Sequence, residues 1–225
     1  MSRTRTSLAR RLQLECLEDR AVPAGAVTAA LDGDTLTVTG DSAGNQILIA
    51  PDPLNPEQIR VTGLFFTRVN GARSATFDAA AVANVTTDLG GGSDAVTVAG
   101  IALTGDLSVT SGAGFDAVAL YGVAADGSVS IDTGDGWDSV ALLDVSAGSL
   151  DVQTGAGWDA VALTQVSAGS LSVDTGDGYD AVVAYQVTVA DESAVVSGGA
   201  QTDLFIDLGS NTGFTTEEFE REIGL

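Results

Sequence analysis

The 225-residue chain is short of several residue types on which many active sites and small folds depend. It has no histidine, no lysine, one cysteine (Cys16), two tryptophans and four prolines. A single cysteine excludes an internal disulfide, and the lack of histidine excludes Ser-His and Cys-His nucleophilic pairs. No apolar run reaches the roughly 18 residues that a membrane-spanning helix needs, so we expect no membrane span.

Basic side chains are concentrated in the N-terminal third of the chain. All nine basic residues are arginine, five of them lie in residues 1–20, and the formal net charge is −22. Between Arg73 and Arg221 there are 22 acidic residues and no basic one. Phosphate binding needs Lys or Arg, so this distribution excludes nucleic acid as a partner. It also leaves the acidic residues without a counter-charge of their own.

What the sequence has instead is a repeated loop of the form Gly-x-Gly-x-Asp. Its aspartates follow one another at steps of 22, 22, 21 and 21 residues, and they are Asp94, Asp116, Asp138, Asp159 and Asp180. Fainter copies of the repeat place Asn45 and Asp203 at the aspartate position. A fixed period of 20 to 50 residues indicates stacked supersecondary units.

Each repeat contains two short runs that favour β-strands. One alternates in polarity, as in residues 150–153, and the other is rich in valine, as in residues 160–163. One such unit cannot bury its own apolar face, so neighbouring units must stack. The sequence therefore predicts an all-β, single-domain parallel β-solenoid with coils of about 21 residues. Equivalent apolar residues, such as Leu120, Leu142 and Leu163, should form ladders in its core.

The limits of the repeat and the positions of the prolines divide the chain into four parts. Residues 1–24 are an export-associated segment, and residues 25–82, which hold three prolines beyond position 50, are an N-terminal cap with the first irregular coils. Residues 83–209 are the solenoid repeats, and residues 210–225 are a C-terminal cap. The capping-box pattern Thr215-x-x-Glu218 predicts a short helix in this last part.

The stacked loops pose an electrostatic problem. Carboxylates about 4.8 Å apart repel by roughly 1 kcal/mol in water and by roughly 3–4 kcal/mol at a dielectric near 20. Either cations intervene or backbone N–H groups satisfy each carboxylate. In the second interpretation each aspartate is a structural turn residue that bonds the amides of the next loop.

The loop resembles the calcium-binding Gly-Gly-x-Gly-x-Asp nonapeptide of RTX β-rolls, and residues 133–141 fit it except at the first glycine. The resemblance implies Ca²⁺ between successive loops, held by the aspartates of the motif. Asp135 and Asp177 occur in alternate loops and could add ligands there. The predicted metal-site residues are Asp94, Asp116, Asp138, Asp159, Asp180, Asp135 and Asp177.

An aromatic residue precedes the aspartate in four loops, at Phe115, Trp137, Trp158 and Tyr179. Stacked coils would align these rings in a column. The column is either a surface for a polysaccharide or a protein, or a self-stacking device that holds the register. A second column, of Thr133, Thr154 and Thr175, admits ice binding as a remote alternative.

The N-terminal segment carries a resemblance of its own. Residues 14–20 read Leu-Glu-Cys-Leu-Glu-Asp-Arg, which is similar to the Leu-Glu-x-Leu-Glu-x-Arg signature at the start of many exported planctomycetal proteins. This resemblance implies export to the cell surface or the extracellular space.

Together these observations predict an exported, non-catalytic repeat protein of the cell surface or extracellular matrix, stabilised by Ca²⁺. The alternative is a carbohydrate-binding or adhesin module that uses the aromatic column, with a polysaccharide or a cell-surface protein as partner. A polysaccharide-active β-helix enzyme is a further hypothesis, which the sequence favours less than these two because the coils lack the basic residue that lyases of acidic sugars use.

Overall fold

The predicted architecture is confirmed by a computed structural model, which describes residues 25–191, 194–219 and 221–224. The chain forms a parallel β-solenoid of about six turns with roughly 22 residues per turn. The only helical element among the described residues is a 3-10 turn, Ala79–Ala81.

The first strands mix antiparallel and parallel pairing. They are β1 (Ala26–Asp32), β2 (Thr35–Thr39), β3 (Gln46–Asp52), β4 (Asn55–Gly63), β5 (Arg68–Val69) and β6 (Ser74–Asp78). Strands β1 and β2 form a hairpin, and β3, β4 and β6 pair in antiparallel order. The antiparallel strands cover the N-terminal end of the stack.

The repeats supply the central strands. These are β7 (Asn84–Asp88), β8 (Gly91–Gly92), β9 (Ala95–Ala99), β10 (Ala102–Leu103), β11 (Leu107–Thr110), β12 (Ala113–Gly114), β13 (Ala117–Asp132), β14 (Ser139–Gln153), β15 (Ala160–Asp174), β16 (Ala181–Tyr185) and β17 (Thr188–Val189). Strand β2 pairs in parallel with β7, and β3 with β9, so the first coil begins before the regular repeats. The fainter copy around Asn45 therefore belongs to the same stack.

The expectation of two separate strands per coil is wrong for the central coils. Strands β13, β14 and β15 run unbroken for 15 or 16 residues and turn a corner without ending. The corner residue has a left-handed backbone, with φ of 59° at Gly122, 56° at Asp144 and 54° at Gln165. A residue in that conformation redirects the strand while its neighbours keep their inter-coil hydrogen bonds.

The core consists of ladders of like residues, as predicted. The register pairs Leu120 with Leu142 and Leu142 with Leu163, and these side chains are at most 1% exposed. Four further ladders of equivalent apolar residues are also buried, and their members at the centre of the stack are Val129 and Leu150, Ile131 and Val152, Val140 and Val161, and Val145 and Val166. Each coil encloses a narrow interior, which small branched side chains are large enough to fill.

The C-terminal strands continue the stack. They are β18 (Ala194–Ser197), β19 (Leu204–Asp207), β20 (Phe214–Glu217) and β21 (Arg221–Gly224). The short helix predicted from Thr215 and Glu218 is wrong, because residues 214–217 pair in parallel with β18. The Thr215 hydroxyl donates to the Ala194 carbonyl at 3.3 Å instead of capping a helix. The ladder of the preceding coil overrides the local capping preference.

Candidate functional site: the stacked Gly-x-Gly-x-Asp loops

The aspartates of the loops form one column along the solenoid. The backbone N–H of Asp138 donates to Oδ1 of Asp159 at 2.8 Å, and the N–H of Asp159 donates to Oδ1 of Asp180 at 2.8 Å. The same bond, at 2.6 to 2.8 Å, joins successive members of the series Asn45, Asp94, Asp116, Asp138, Asp159, Asp180 and Asp203. The aspartates therefore bond backbone amides, but those of the preceding loop and not of the next one.

We call each position of this column a rung. In the five central rungs the second carboxyl oxygen, Oδ2, differs from Oδ1 in its environment. Asp94, Asp116, Asp138, Asp159 and Asp180 are only 2–3% exposed, and their Oδ2 atoms are buried with no hydrogen-bond partner. Burial raises the pKa of Asp94 and Asp138 to about 6 and the pKa of Asp180 to about 7. Burial also raises the pKa of Asp116 and Asp159 above the usual value.

A column of hydroxyl groups runs beside the carboxyl groups. Thr133 and Thr154 are fully buried, and their hydroxyls donate to the backbone carbonyls of Thr154 and Thr175 at 3.4 and 3.1 Å. The Thr133 hydroxyl is near enough to lower the pKa of Asp138, although its geometry forms no hydrogen bond to Oδ2. These threonines occupy the place of the first RTX glycine because that position points inward. Their burial rules out the ice-binding alternative.

The two glycines of each loop are needed because successive loops touch. The N–H of Gly114 donates to the Asp135 carbonyl at 3.0 Å, and the N–H of Trp137 donates to the Gly114 carbonyl at 3.2 Å. A Cβ atom at Gly136 would overlap the carbonyl oxygen of Gly114. The first glycine, Gly134 in this loop, has a φ of 79°. The glycine pattern thus follows from direct backbone stacking.

The geometry provides a test of the calcium prediction. Calcium takes six to eight oxygen ligands at 2.3–2.6 Å. Here the loop carbonyls accept N–H groups of adjacent loops, and each aspartate offers only Oδ2. Within the described ranges, no three Asp, Glu, His or Cys side chains gather as a metal ion would need. The buried column in this arrangement does not fit a calcium site, and calcium binding stays a prediction.

The two additional acids lie elsewhere. Asp135 and Asp177 are exposed on the outside of their loops, whereas Asp138 and Asp180 point into the body. The structure therefore does not bring the two predicted groups of metal ligands together. The outer acids place further negative charge over the column.

The aromatic column is present and exposed. The four side chains, Phe115, Trp137, Trp158 and Tyr179, are 54–62% exposed. The indoles of Trp137 and Trp158 are stacked, with centroids 5.0 Å apart and planes 5° from parallel. Phe115 and Tyr179 meet them edge-on at 5.7 and 5.6 Å. The rings therefore contact one another, and the facing surfaces of the two indoles are covered.

Next to this column lies a sheet face that sequence reasoning missed. In-and-out alternation continues from Trp137 to Leu143, so the ring column and the outward residues of strand β14 share one face. Residues 117–121, 139–143, 160–164 and 181–185 contain no charged side chain. We call the surface formed by their outward side chains the uncharged face. Its edge away from the aromatic column carries Tyr121, Leu143 and Tyr185, each about two-fifths exposed. The absence of acids at these positions of the repeat was the available signal.

Comparison with protein-family models, with curated proteins and with solved structures finds no match to this chain. Along the described segments, no helix has both the length and the apolar character needed to cross a membrane.

Proposed function

We propose that this chain is a non-catalytic repeat scaffold that works outside the cell, at the cell surface or in the extracellular matrix. The observation that carries the proposal is repetition: from coil to coil, similar side chains occupy the same core, loop and face positions. Catalysis needs one place where a particular set of groups converges, whereas a scaffold needs a long regular body. The N-terminal resemblance to exported planctomycetal proteins supports the location.

The uncharged face and the aromatic column supply the contact surface of this scaffold. The chain carries a net charge of −22, so its acidic surfaces repel acidic polymers and other acidic proteins. The face formed by residues 117–121, 139–143, 160–164 and 181–185 lacks this repulsion. Exposed apolar surface bordered by polar residues is typical of interaction sites. A neutral polysaccharide or a cell-surface protein suits it.

Location is tested by surface proteolysis of intact cells that produce the tagged chain. Digestion of the tag in intact cells, while a cytoplasmic marker survives, is the expected result. A tag that stays protected until the cells are lysed contradicts the proposed location.

The second candidate is a carbohydrate-binding module, and the exposure of Trp137 and Trp158 favours it. Sugars stack on ring faces, but these two indoles cover each other, so only edges and outer faces remain for a ligand. Pull-down on insoluble neutral polysaccharides compares the unaltered chain with Trp137→Ala/Trp158→Ala. Asp135→Asn, which changes an exposed acid in a neighbouring loop position, is the control. Binding that both variants retain contradicts a role for the rings.

A further inference from the structure

We infer that the buried aspartate column binds protons instead of metal ions, so that its rungs are neutral carboxylic acids in the folded chain at mildly acidic pH. This inference concerns the stability of the solenoid and does not depend on the proposed function. It follows from the hydrogen-bond donors, the neighbouring charges and a comparison within the column.

The hydrogen-bond donors near Asp138 already donate to acceptors other than Oδ2. Oδ1 of Asp138 accepts the N–H of Asp116 at 2.8 Å, whereas Oδ2 is buried and accepts nothing. The nearby Thr133 hydroxyl donates its hydrogen to the Thr154 carbonyl. An ionised Oδ2 would therefore be buried without a donor, which costs far more than burying a neutral group. A proton on Oδ2 removes this buried charge and converts the oxygen into a donor.

Among the described residues, the charged side chains that act most on the pKa of Asp94 and Asp180 are all acidic. The charged neighbours that act on Asp94 are Asp116 and Asp41, and those that act on Asp180 are Asp159 and Asp203. All four raise the pKa, in the same direction as burial. Residues 74–219 contain no lysine, arginine or histidine. The exposed Asp135 and Asp177 on the outer side of the loops only add negative charge.

The first rung shows that a neutral group suits this position. Asn45 takes the place of an aspartate, and its backbone N–H donates to Oδ1 of Asp94 at 2.6 Å. Its side-chain amide donates to the carbonyl of Ala43 at 2.7 Å. A protonated carboxyl group has nearly the same shape as this amide and, like the amide, can donate. The column accommodates a neutral donor at its N-terminal end without any change of register.

The test compares Asp138→Asn with Asp135→Asn in the full chain, because each removes one acid from the same loop. Proton release on thermal unfolding near pH 5, between the folded and unfolded pKa values of Asp138, is measured by calorimetry in two buffers of different ionisation enthalpy. We expect Asp138→Asn to release about one proton fewer than the unaltered chain, and Asp135→Asn to release the same number. At pH 8, Asp138→Asn should melt at or above the temperature of the control.

Equal proton release from all three chains would overturn the inference. So would an Asp138→Asn variant that melts far below Asp135→Asn at pH 8 and loses a calcium-specific stabilisation that the control keeps. Should Asp138→Asn fail to fold, the infrared spectrum of the unaltered chain decides. We expect the carbonyl band of protonated carboxyl groups to persist near pH 6 in the folded chain and to vanish on unfolding in urea. A folded chain without that band contradicts protonation.

Discussion

Asp138 donates its backbone N–H to Oδ1 of Asp159 at 2.8 Å, while Oδ2 of Asp159 is buried without a partner. One oxygen of the carboxyl group therefore holds two coils together. The other oxygen is buried without a hydrogen-bond donor, which has an electrostatic cost when the carboxyl group is ionised. Because the same bond recurs from coil to coil, the stability of the whole stack depends on how that cost is met.

The free energy of unfolding should fall as the pH rises. Burial raises the pKa of Asp94 and Asp138 to about 6 and of Asp180 to about 7, against about 3.9 in an unfolded chain. Between these values the folded chain binds more protons than the unfolded chain. The stabilisation is complete below about pH 4 and is lost as the pH passes through about 6 to 7. Each pKa unit corresponds to about 1.4 kcal/mol per rung.

Urea unfolding at a series of pH values and constant high ionic strength measures this effect, because salt screens the repulsion between exposed acids. Asp138→Asn should show a shallower pH dependence than Asp135→Asn. Stability that rises with pH over this range would contradict the raised pKa values.

Calcium should act on this chain as a general screening ion. The loops bond each other directly and the predicted ligands lie in two separate places, so we expect equal concentrations of Ca²⁺ and Mg²⁺ to raise the melting temperature equally. Melting curves with EGTA, with Mg²⁺ and with Ca²⁺ measure this. A saturable, calcium-specific shift that Asp138→Asn/Asp159→Asn abolishes would restore the site implied by the RTX resemblance.

Gly136→Ala should destabilise the stack strongly. The added methyl group would overlap the carbonyl oxygen of Gly114, a backbone atom that cannot move without breaking the contact between loops. We expect a loss of about 3 kcal/mol, at the upper end for overpacking. The control is Gly122→Asn, at an open corner where Asp144 and Gln165 already occupy the left-handed conformation in later coils. This control should lose no more than about 1 kcal/mol.

Leu142→Ala and Leu143→Ala should differ in cost although they are neighbours on strand β14. Leu142 is 1% exposed and stacked between Leu120 and Leu163, so its truncation leaves a cavity in the ladder. We expect this to lower the free energy of unfolding by about 2–5 kcal/mol. Leu143 is 40% exposed on the uncharged face and should lose less than about 1 kcal/mol. Urea titrations give both values, and equal losses would mean that the register is wrong.

Local sequence signals were reliable where the repeat supports them and misleading where it does not. The spacing of Asp116, Asp138 and Asp159 correctly predicted which residues stack, because equivalent positions of a solenoid must lie above one another. The Thr215-x-x-Glu218 pattern suggested a helix because a capping box is judged from four residues alone. Residues 214–217 instead complete a ladder that begins in strand β18.

By itself the sequence determined the solenoid, its period and the residues of each ladder, since a constant spacing dictates what lies over what. Only the tertiary structure decided that Asp138 is buried and Asp135 exposed, and that one carboxyl oxygen is bonded and the other is not. Those properties depend on the path of the backbone between coils, where a rotation of one residue turns a side chain from solvent into the core. A spacing rule contains no such distance or direction. Only the three-dimensional structure therefore shows that Oδ2 of Asp138 is buried without a hydrogen-bond partner.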